Sequence, residues 1–517
     1  MPSYSKTGLI NIGIAAFYAL ATYVSYVLVA DRYGATLGSD AYFFLFSFTT
    51  LCAGLFTALF ATTFMPLLIE LRIRQGNDAS NDFASVILTW VLLVAFSGLV
   101  TAAFFDEQIL AGVSRFSSDQ LASAGNLFRY FPLVVFFGVI AEYYRVAVMS
   151  FRHFTLSAAG SLFPPVLLVA TLVALPGSEE TMAVALVVAK ALQMLFFWNI
   201  ATRSGLGLRP RLTIGVETRR FAKVSLPYFS ASFFTYASTF YFDYIATGLG
   251  AGVLTAVSYA QRLFVLPLVV AFNPLIEIAR VHFAELHAQG DDQTLRKHYT
   301  RLLALIILFS LPIGLVFGLF PRELVDAIFR RGAFDAEAAA ISAACLQIYA
   351  LAIPLNCIFT LNGRIVESFQ KLLWPSIFGS FGHLLFILAT YQLSTSYGFL
   401  GIPLARTAVD LVYLFPFGFI AVYIFLGKTD FRPVLIVTIS SIFFSSLLVL
   451  LYFTSISSAR ALGIFEPTQL FFAYMTVLSA AYVVMTWFLN RSLQGWLFGN
   501  AASFTLSRKK APGAQTF

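Results

Sequence analysis

The sequence predicts an all-α integral membrane protein with about fourteen transmembrane helices. The chain of 517 residues is 59% hydrophobic and only 11% charged, whereas soluble proteins average about 25% charged residues. Apolar stretches of about 20 residues, the length that crosses a hydrocarbon core as a helix, follow one another from residue 8 to residue 489. The links between them are too short for a soluble domain. Because a spanning backbone must pair its own amides, these stretches are predicted to be helices.

The first spans establish this pattern. The first one follows Lys6 and could be mistaken for a secretory signal, but the apolar region of a signal runs for only about 7 to 15 residues. We therefore predict that the first span is retained. The first four apolar stretches cover residues 8–30, 42–69, 84–105 and 131–149.

Basic residues lie mainly in alternate links. The links on one side carry most of the arginines and lysines, including Arg72, Arg74 and Lys223, while the links on the other side carry few. By the positive-inside rule the basic side is cytoplasmic. Both termini are therefore predicted to be cytoplasmic, in a bacterial inner membrane. The formal net charge of +8 is explained by this topology, and we expect no nucleic acid partner.

The spans are predicted to form two lobes. A basic linker at 203–223 separates an N-lobe (1–202) from a C-lobe (224–427), each with six spans, and 428–517 holds two further spans and a tail. The string QGND after the second span returns as QGDD after the eighth. Such echoes in equivalent links indicate a parallel repeat of the two lobes.

Little in the sequence favours an enzyme. The five histidines show no ligand spacing, and the three cysteines lie within apolar spans, where neither a disulfide nor a metal site is expected. The string GKT at 427–429 ends like a phosphate-binding loop, but Val422 stands where the first glycine belongs, and the string follows a membrane helix. Two-lobed transporters bind their substrates between the lobes near the midplane. We expect a transporter with no cofactor and no metal.

Ionisable residues inside spans carry the functional prediction, because each costs at least about 2.5 kcal/mol at the bilayer centre. Arg406 and Asp410 are four residues apart in span twelve and are predicted to form a structural pair. Glu142 and Arg145, three residues apart, are predicted to pair locally. For Lys190 two roles stay open, a cavity-lining contact to substrate or a structural pair.

Arg262 and Asp243 have no opposite charge within a turn of their own helices. Their compensation must come from another helix, a substrate or an ion. Pro267 follows Arg262 and can break the helix next to a cavity. A guanidinium in a water-filled cavity can bind a diphosphate bidentately, so Arg262 is predicted to bind substrate. Asp243 is the candidate for ion coupling.

Three strings give the chain a family resemblance. They are YGA with SDAYF at 33–43, YAQRL at 259–263 before Pro267, and RGAFD at 331–335. With these strings, the chain resembles over nearly its whole length the lipid II flippases of the MurJ or MviN type, within the multidrug, oligosaccharidyl-lipid and polysaccharide exporter superfamily. This resemblance implies fourteen spans, cytoplasmic termini and a groove for a polyprenyl tail formed by the last two helices. It also implies substrate-binding roles for Asp40 and Arg262.

The chain departs from that family in several places. The family carries cavity arginines in its first two spans, but residues 15–27 and 49–64 contain none here. Val265 stands where a glutamate usually follows the arginine of the eighth span. Asp243 falls close to an acidic position that resembles part of a sodium site in some members, which implies Na⁺ or H⁺ coupling, although the partners expected on span eleven are missing.

We therefore predict a flippase that moves a polyprenyl-diphosphate-linked saccharide, either lipid II or a related cell-envelope or exopolysaccharide precursor, to the outer leaflet by alternating access. Membrane lipids and proteins of polysaccharide or cell-wall synthesis are the expected partners. Without a nucleotide site, the energy would come from an ion gradient, substrate removal or the membrane potential, which gives about 2.3 kcal/mol per charge at 100 mV. The alternatives are a cation-coupled small-molecule antiporter of the same superfamily and an inert scaffold of a polysaccharide-export complex.

Overall fold

The computed structural model describes residues 3–175, 177–207, 211–213, 215–369, 371, 373–443 and 445–447. All regular structure within these residues is helical, as predicted. The helices are α1 (Ser3–Tyr33), α2 (Leu37–Leu59), α3 (Met65–Phe104), α4 (Asp106–Val113), α5 (Ser118–Phe128), α6 (Phe131–Ser150), α7 (Phe154–Gly160), α8 (Phe163–Ala174), α9 (Glu179–Arg203), α10 (Val216–Ala246), α11 (Val253–Pro267), α12 (Asn273–Ala288), α13 (Asp292–Leu319), α14 (Pro321–Ile328), α15 (Ala336–Ser368), α16 (Leu373–Tyr397), α17 (Gly401–Val409) and α18 (Phe415–Leu426).

The described residues contain nine helical segments that are long and apolar enough to cross a membrane. Two of them, Leu37–Phe104 with 68 residues and Ser376–Leu426 with 51 residues, are much longer than the roughly 20 residues that one crossing needs. The fourteen predicted spans include residues beyond those that the structure describes. Within the described residues a helix begins at Arg432, one residue before the predicted thirteenth span at 433–453. The predicted fourteenth span, at 470–489, lies with the tail outside the described residues.

The repeated string QGND lies at a kink inside α3, where Gly76 departs from helical geometry, and QGDD follows the end of α12. Gly76 and Gly290 adopt φ values of 90° and 73°, which glycine reaches without the steric cost that other residues bear. After Gly290, the Asp291 carboxylate accepts a hydrogen bond from the Thr294 amide at 3.0 Å and caps α13. The hydrogen bonds from Thr294 lower the pKa of Asp291. The sequence echo thus corresponds to a glycine with positive φ in each half of the chain.

Three long helical runs each contain a turn of π-helix, at Phe60–Phe64, Leu268–Phe272 and Asp410–Leu414. In each case a proline, Pro66, Pro274 or Pro416, lies two residues beyond the turn. A proline has no amide hydrogen, and its ring clashes with the carbonyl group four residues earlier. That carbonyl group falls inside the π turn in all three runs, so the wider turn makes room for the ring.

The chain folds into two compact units. The first unit comprises Met1–Leu266, Leu324–Tyr349 and Leu373–Val409. Its N-terminal core joins α2, α3, α6 and α9, and the Tyr143 hydroxyl donates to the Ala84 carbonyl oxygen at 2.7 Å within it. Apolar side chains on the outer faces of this unit are exposed, as expected of surfaces that meet lipid. Examples are Phe96, Leu195 and Trp198.

The second unit comprises Pro267–Glu323, Ala350–Leu372 and the described part of the chain from Asp410 onward. In its interior the Tyr299 hydroxyl donates to Asn362 Oδ1 at 2.7 Å, and both side chains are buried. The boundaries of these units differ from the predicted division at 202, 223 and 427, which stays a prediction. Within the predicted basic linker, α10 already begins at Val216.

Candidate functional site

Arg262 lies near the end of α11, just before the π turn at Leu268–Phe272. Its guanidinium carbon lies 3.5 Å from the centre of the Tyr26 ring and 4.8 Å from the centre of the Phe43 ring. These cation–π contacts stabilise the charge without satisfying its N–H groups. Within the described part of the chain Arg262 forms no ion pair, and its buried Nε finds no acceptor. The guanidinium is thus held in place with its donors uncommitted.

Asp243 lies on α10 and is buried. The Ser47 side chain of α2 lies close to the Asp243 carboxylate, and the charge of Arg262 acts on it. The two charged groups do not approach within the 4.0 Å of an ion pair among the described residues. The structure therefore brings these two predicted residues into one neighbourhood, and each keeps capacity for a ligand of its own.

Asp40 lies on the first turn of α2 and is 1% exposed. Its carboxylate accepts hydrogen bonds from the Gly252 amide at 2.6 Å, the Thr255 amide at 2.8 Å and the Thr255 hydroxyl at 2.6 Å. These amides lie at the N-terminus of α11, where unpaired donors and the helix dipole favour a carboxylate. Arg262 lies roughly 15 Å further along that helix. Asp40 thus joins α2 to α11 here, and its predicted contact with substrate stays a prediction.

Two of the three strings that carry the family resemblance, at 33–43 and 331–335, meet the N-terminal end of α11 in one place, which we call the glycine junction. It comprises Gly34, Gly252, Gly332 and their backbone neighbours. A Cβ atom would overlap the backbone of Ala333 at Gly34, of Ala35 at Gly252 and of Asp31 at Gly332. All three glycines have positive φ values, of 59°, 78° and 53°. The Ala333 amide also donates to the Asp31 carbonyl oxygen at 2.7 Å.

Aromatic rings fill the space beneath the glycine junction. The Tyr259 ring is fully buried and packs against Phe43, Phe329 and Phe334 at centroid distances of 5.6, 4.6 and 5.3 Å. Phe43 also contacts Arg262. The junction and the Arg262 site are therefore continuous through packed rings.

Lys190 lies in a separate cluster of α6 and α9. Its Nζ donates to Gln193 Oε1 at 3.1 Å. The predicted local pair of Glu142 and Arg145 is confirmed, with 2.8 Å between Glu142 Oε2 and Arg145 Nε. Among the described residues no group of three or more histidine, cysteine or acidic side chains could hold a metal ion.

The predicted pair of Arg406 and Asp410 stays a prediction. Arg406 lies in the last turn of α17, and Asp410 is buried at the start of a π turn. The spacing of i and i+4 that favours pairing assumes regular α-helix. That regularity ends at Val409.

Sequence reasoning missed the aromatic surroundings of Arg262. A signal for them existed, because Tyr18, Thr22 and Tyr26 recur every four residues and so share one face of α1. This spacing marks a polar stripe on an otherwise apolar helix, but it does not say which residue the stripe meets.

The sequence of this chain is similar to those of known proteins. Curated relatives include the lipid II flippase MurJ of Burkholderia cenocepacia, 27% identical over 345 residues, and the probable lipid II flippase MurJ of Aquifex aeolicus, 24% identical over 373 residues. These alignments cover 63% and 68% of this chain and 65% and 70% of the relatives. The chain thus matches about two thirds of their length.

Solved structures show the same fold. A lipid II flippase MurJ in an inward closed conformation has a TM-score of 0.77 at 15% identity, covering 93% of this chain and 99% of that one. An inward-facing multidrug transporter of the MATE family has a TM-score of 0.64 at 14% identity, covering 82% and 99%. The chain is therefore a multi-span membrane protein with the fold of these transporters. Since the family model for the lipid II flippase MurJ matches residues 29–485, the chain belongs to that family.

Proposed function

We propose that this protein is a flippase that moves a polyprenyl-diphosphate-linked saccharide from the cytoplasmic to the periplasmic leaflet of the bacterial inner membrane. The cargo is lipid II or a related cell-envelope precursor. The protein acts by alternating access and without a cofactor. The observation that carries the proposal is the uncommitted guanidinium of Arg262, held over Tyr26 and Phe43 inside a membrane-spanning unit.

The stacked position of Arg262 suits a diphosphate. A guanidinium carries five N–H donors along its planar edge, and stacking on a ring occupies a face and leaves that edge available. Two parallel hydrogen bonds to one phosphate group are shorter and stronger than neutral ones. The cost of a charge inside the membrane is then offset in the loaded state by the anion.

Asp243 supplies the coupling in this proposal. While Arg262 is unoccupied, its positive charge stabilises the buried Asp243 carboxylate. When a diphosphate neutralises Arg262, Asp243 gains affinity for a cation, either H⁺ or Na⁺. The same carboxylate, together with the likeness to a MATE transporter, favours the second candidate, a cation-coupled small-molecule antiporter.

Replacing Arg262 tests the proposal. We expect Arg262→Ala to lower transport at least tenfold, since each charge-assisted hydrogen bond contributes about 1.5–3 kcal/mol. Arg262→Lys should retain part of the activity, because it keeps the charge but not the planar fork. Transport is measured as rescue of a bacterial strain depleted of its own lipid II flippase, at equal protein level.

The control is Arg74→Ala, since the Arg74 side chain is 74% exposed. Full rescue by Arg262→Ala would contradict the mechanism. Rescue by the unchanged protein identifies lipid II as cargo. Failure to rescue, combined with loss of a surface polysaccharide on gene deletion, identifies a related precursor. Failure to rescue with no envelope change would instead favour the antiporter.

The proposed orientation makes a labelling prediction. Single cysteines at Gln75 and Gln289 should react with an impermeant maleimide only from the cytoplasmic side, and a cysteine at Ser178 only from the periplasmic side. Phe334 is also predicted to be periplasmic but is buried, so the exposed Glu337 serves as its reporter. The assay uses a Cys52→Ser background, because Cys345 and Cys357 are buried. Labelling of position 337 from the cytoplasm alone would reverse the topology.

A further inference from the structure

Lys190 is a membrane-embedded cation with spare donors. Its stem crosses Gly138 of α6, where a Cβ atom would lie 3.8 Å from Lys190 Cδ. Gln193 accepts one hydrogen bond from Nζ at 3.1 Å and is itself oriented by a 3.0 Å bond from its Nε2 to the Gly160 carbonyl oxygen. An ammonium group has three N–H donors. The other two find no acceptor among the described residues.

The nearby carboxylate does not neutralise Lys190. Glu142 is one turn beyond Gly138 on α6, and its Oε2 is bound by Arg145 at 2.8 Å. Arg145 also reaches Met149 Sδ at 3.3 Å. One carboxylate therefore faces two cations, and the cluster keeps a net positive charge. We call Glu142, Arg145, Lys190 and Gln193 the Lys190 pocket.

A stripe of hydroxyl groups connects this pocket with Arg262. The Tyr18 side chain lies within electrostatic range of both Glu142 and Tyr26. Tyr26 in turn lies beneath the Arg262 guanidinium. Tyr18 and Tyr26 are separated by roughly 12 Å along α1. A diphosphate bound at Arg262 is too short to reach the Lys190 pocket, but a saccharide attached to it can extend along the stripe.

A second aromatic ring near Glu142 comes from α10. Tyr236 of α10 packs over Gly54 of α2, where a Cβ atom would lie 2.5 Å from its ring, and Tyr236 also lies within range of Glu142. The face of an aromatic side chain can pack against a sugar ring, and a side-chain hydroxyl group can form hydrogen bonds with sugar hydroxyls. The tyrosines that lie between Arg262 and the Lys190 pocket can therefore contact a saccharide.

We infer that the Lys190 pocket is a second anion subsite, which binds an acidic group carried by the saccharide headgroup while Arg262 binds the diphosphate. The acidic group is a carboxylate or a phosphate. The inference rests on the proposed function, because it assigns the two ends of one cargo to two sites. It also explains how a lobe without arginines in its first two spans recognises its share of an anionic substrate.

Soluble fragments of such a cargo test the two sites separately. The full-length protein in lipid nanodiscs is titrated with glucuronate, glucose 6-phosphate, glucose and pyrophosphate, and binding is followed by saturation-transfer NMR. We expect at least one acidic sugar to bind more tightly than glucose. Lys190→Gln should weaken that binding by about tenfold and leave pyrophosphate binding unchanged. Arg262→Gln should weaken pyrophosphate binding and leave the binding of the acidic sugar unchanged.

Two controls separate binding from folding. Lys297→Gln removes an exposed lysine and should change neither titration, while Lys190→Arg should keep the preference for acidic sugars. If Lys190→Gln does not accumulate, Gly138→Leu crowds the lysine stem instead and should give the same selective loss. Glucuronate and glucose 6-phosphate distinguish a carboxylate from a phosphate.

Different results would contradict the anion subsite and the proposed function. Equal binding of glucose and both acidic sugars, or an equal loss of every ligand in Lys190→Gln, would overturn the subsite. Pyrophosphate binding that does not depend on Arg262 would overturn the proposed function and leave the subsite standing.

Discussion

Replacing Gly34 with alanine is expected to abolish transport and to destabilise the protein by about 2–5 kcal/mol. Gly34 has a φ of 59°, a conformation that costs a residue with a side chain about 1–2 kcal/mol. The added Cβ would also overlap the Ala333 carbonyl group. Because that group belongs to the backbone, no rotamer change relieves the overlap, and the glycine junction must open. Transport and the melting temperature in nanodiscs measure the two effects.

Two other glycines separate these causes. Gly290 has a φ of 73° but no atom within 4 Å of its Cβ position, so Gly290→Ala carries only the conformational cost. Gly98 lies inside α3 with the same open space, and Gly98→Ala should be neutral or better. Maleimide labelling of a cysteine at the buried Ala30 should increase in Gly34→Ala alone. Equal losses of stability in Gly34→Ala and Gly290→Ala would show that the junction is not closely packed.

Asp40→Ala is expected to have the second large effect, a decrease of about 3 kcal/mol or more in the free energy of unfolding. The substitution removes the carboxylate that accepts three hydrogen bonds, and a hydrogen bond to a charged group contributes about 1.5–3 kcal/mol. It also leaves the buried amides of Gly252 and Thr255 unpaired. The first turn of α11 should then exchange its amide hydrogens faster. Hydrogen exchange followed by mass spectrometry over residues 250–256, together with the melting temperature, measures this change.

The same experiment distinguishes two roles of Asp40. Asp82→Asn is the control, since its side chain is 55% exposed. If transport is lost in Asp40→Asn while exchange and stability match this control, Asp40 contacts the substrate, as the family resemblance implied. If exchange at α11 rises with the loss of transport, Asp40 acts by joining α2 to α11.

Local sequence patterns predicted the parts of this structure that depend on nearby residues. The apolar runs predicted the helices, because helix formation in a membrane satisfies the backbone within each run. Glu142 and Arg145 were predicted to pair because residues three apart share a helix face. Arg262 stood out because a charge with no partner in its own helix needs a reason to be in a membrane.

Contacts between distant segments could not be predicted in this way. The partner of Asp40 at Gly252 is 212 residues away, and no periodicity relates the two. The glycine junction depends on close approach of three separate backbone segments, which a single glycine in a sequence does not reveal. Tyr26 showed only that α1 has a polar stripe, and the contact of its ring with Arg262 of α11 follows from the tertiary fold.

The π turns also change which side chains share a face of a helix. A π turn holds one residue more than the α-helical repeat, so side chains beyond it are rotated by roughly 100°. The π turn at Phe60–Phe64, for example, lies directly between α2 and α3. When hydrophobic periodicity is calculated across such a turn, the apolar positions before and after it are out of phase, and no clear period results. Removing a single residue there would restore an uninterrupted α-helix, but it would turn every later side chain of that run away from its present neighbours.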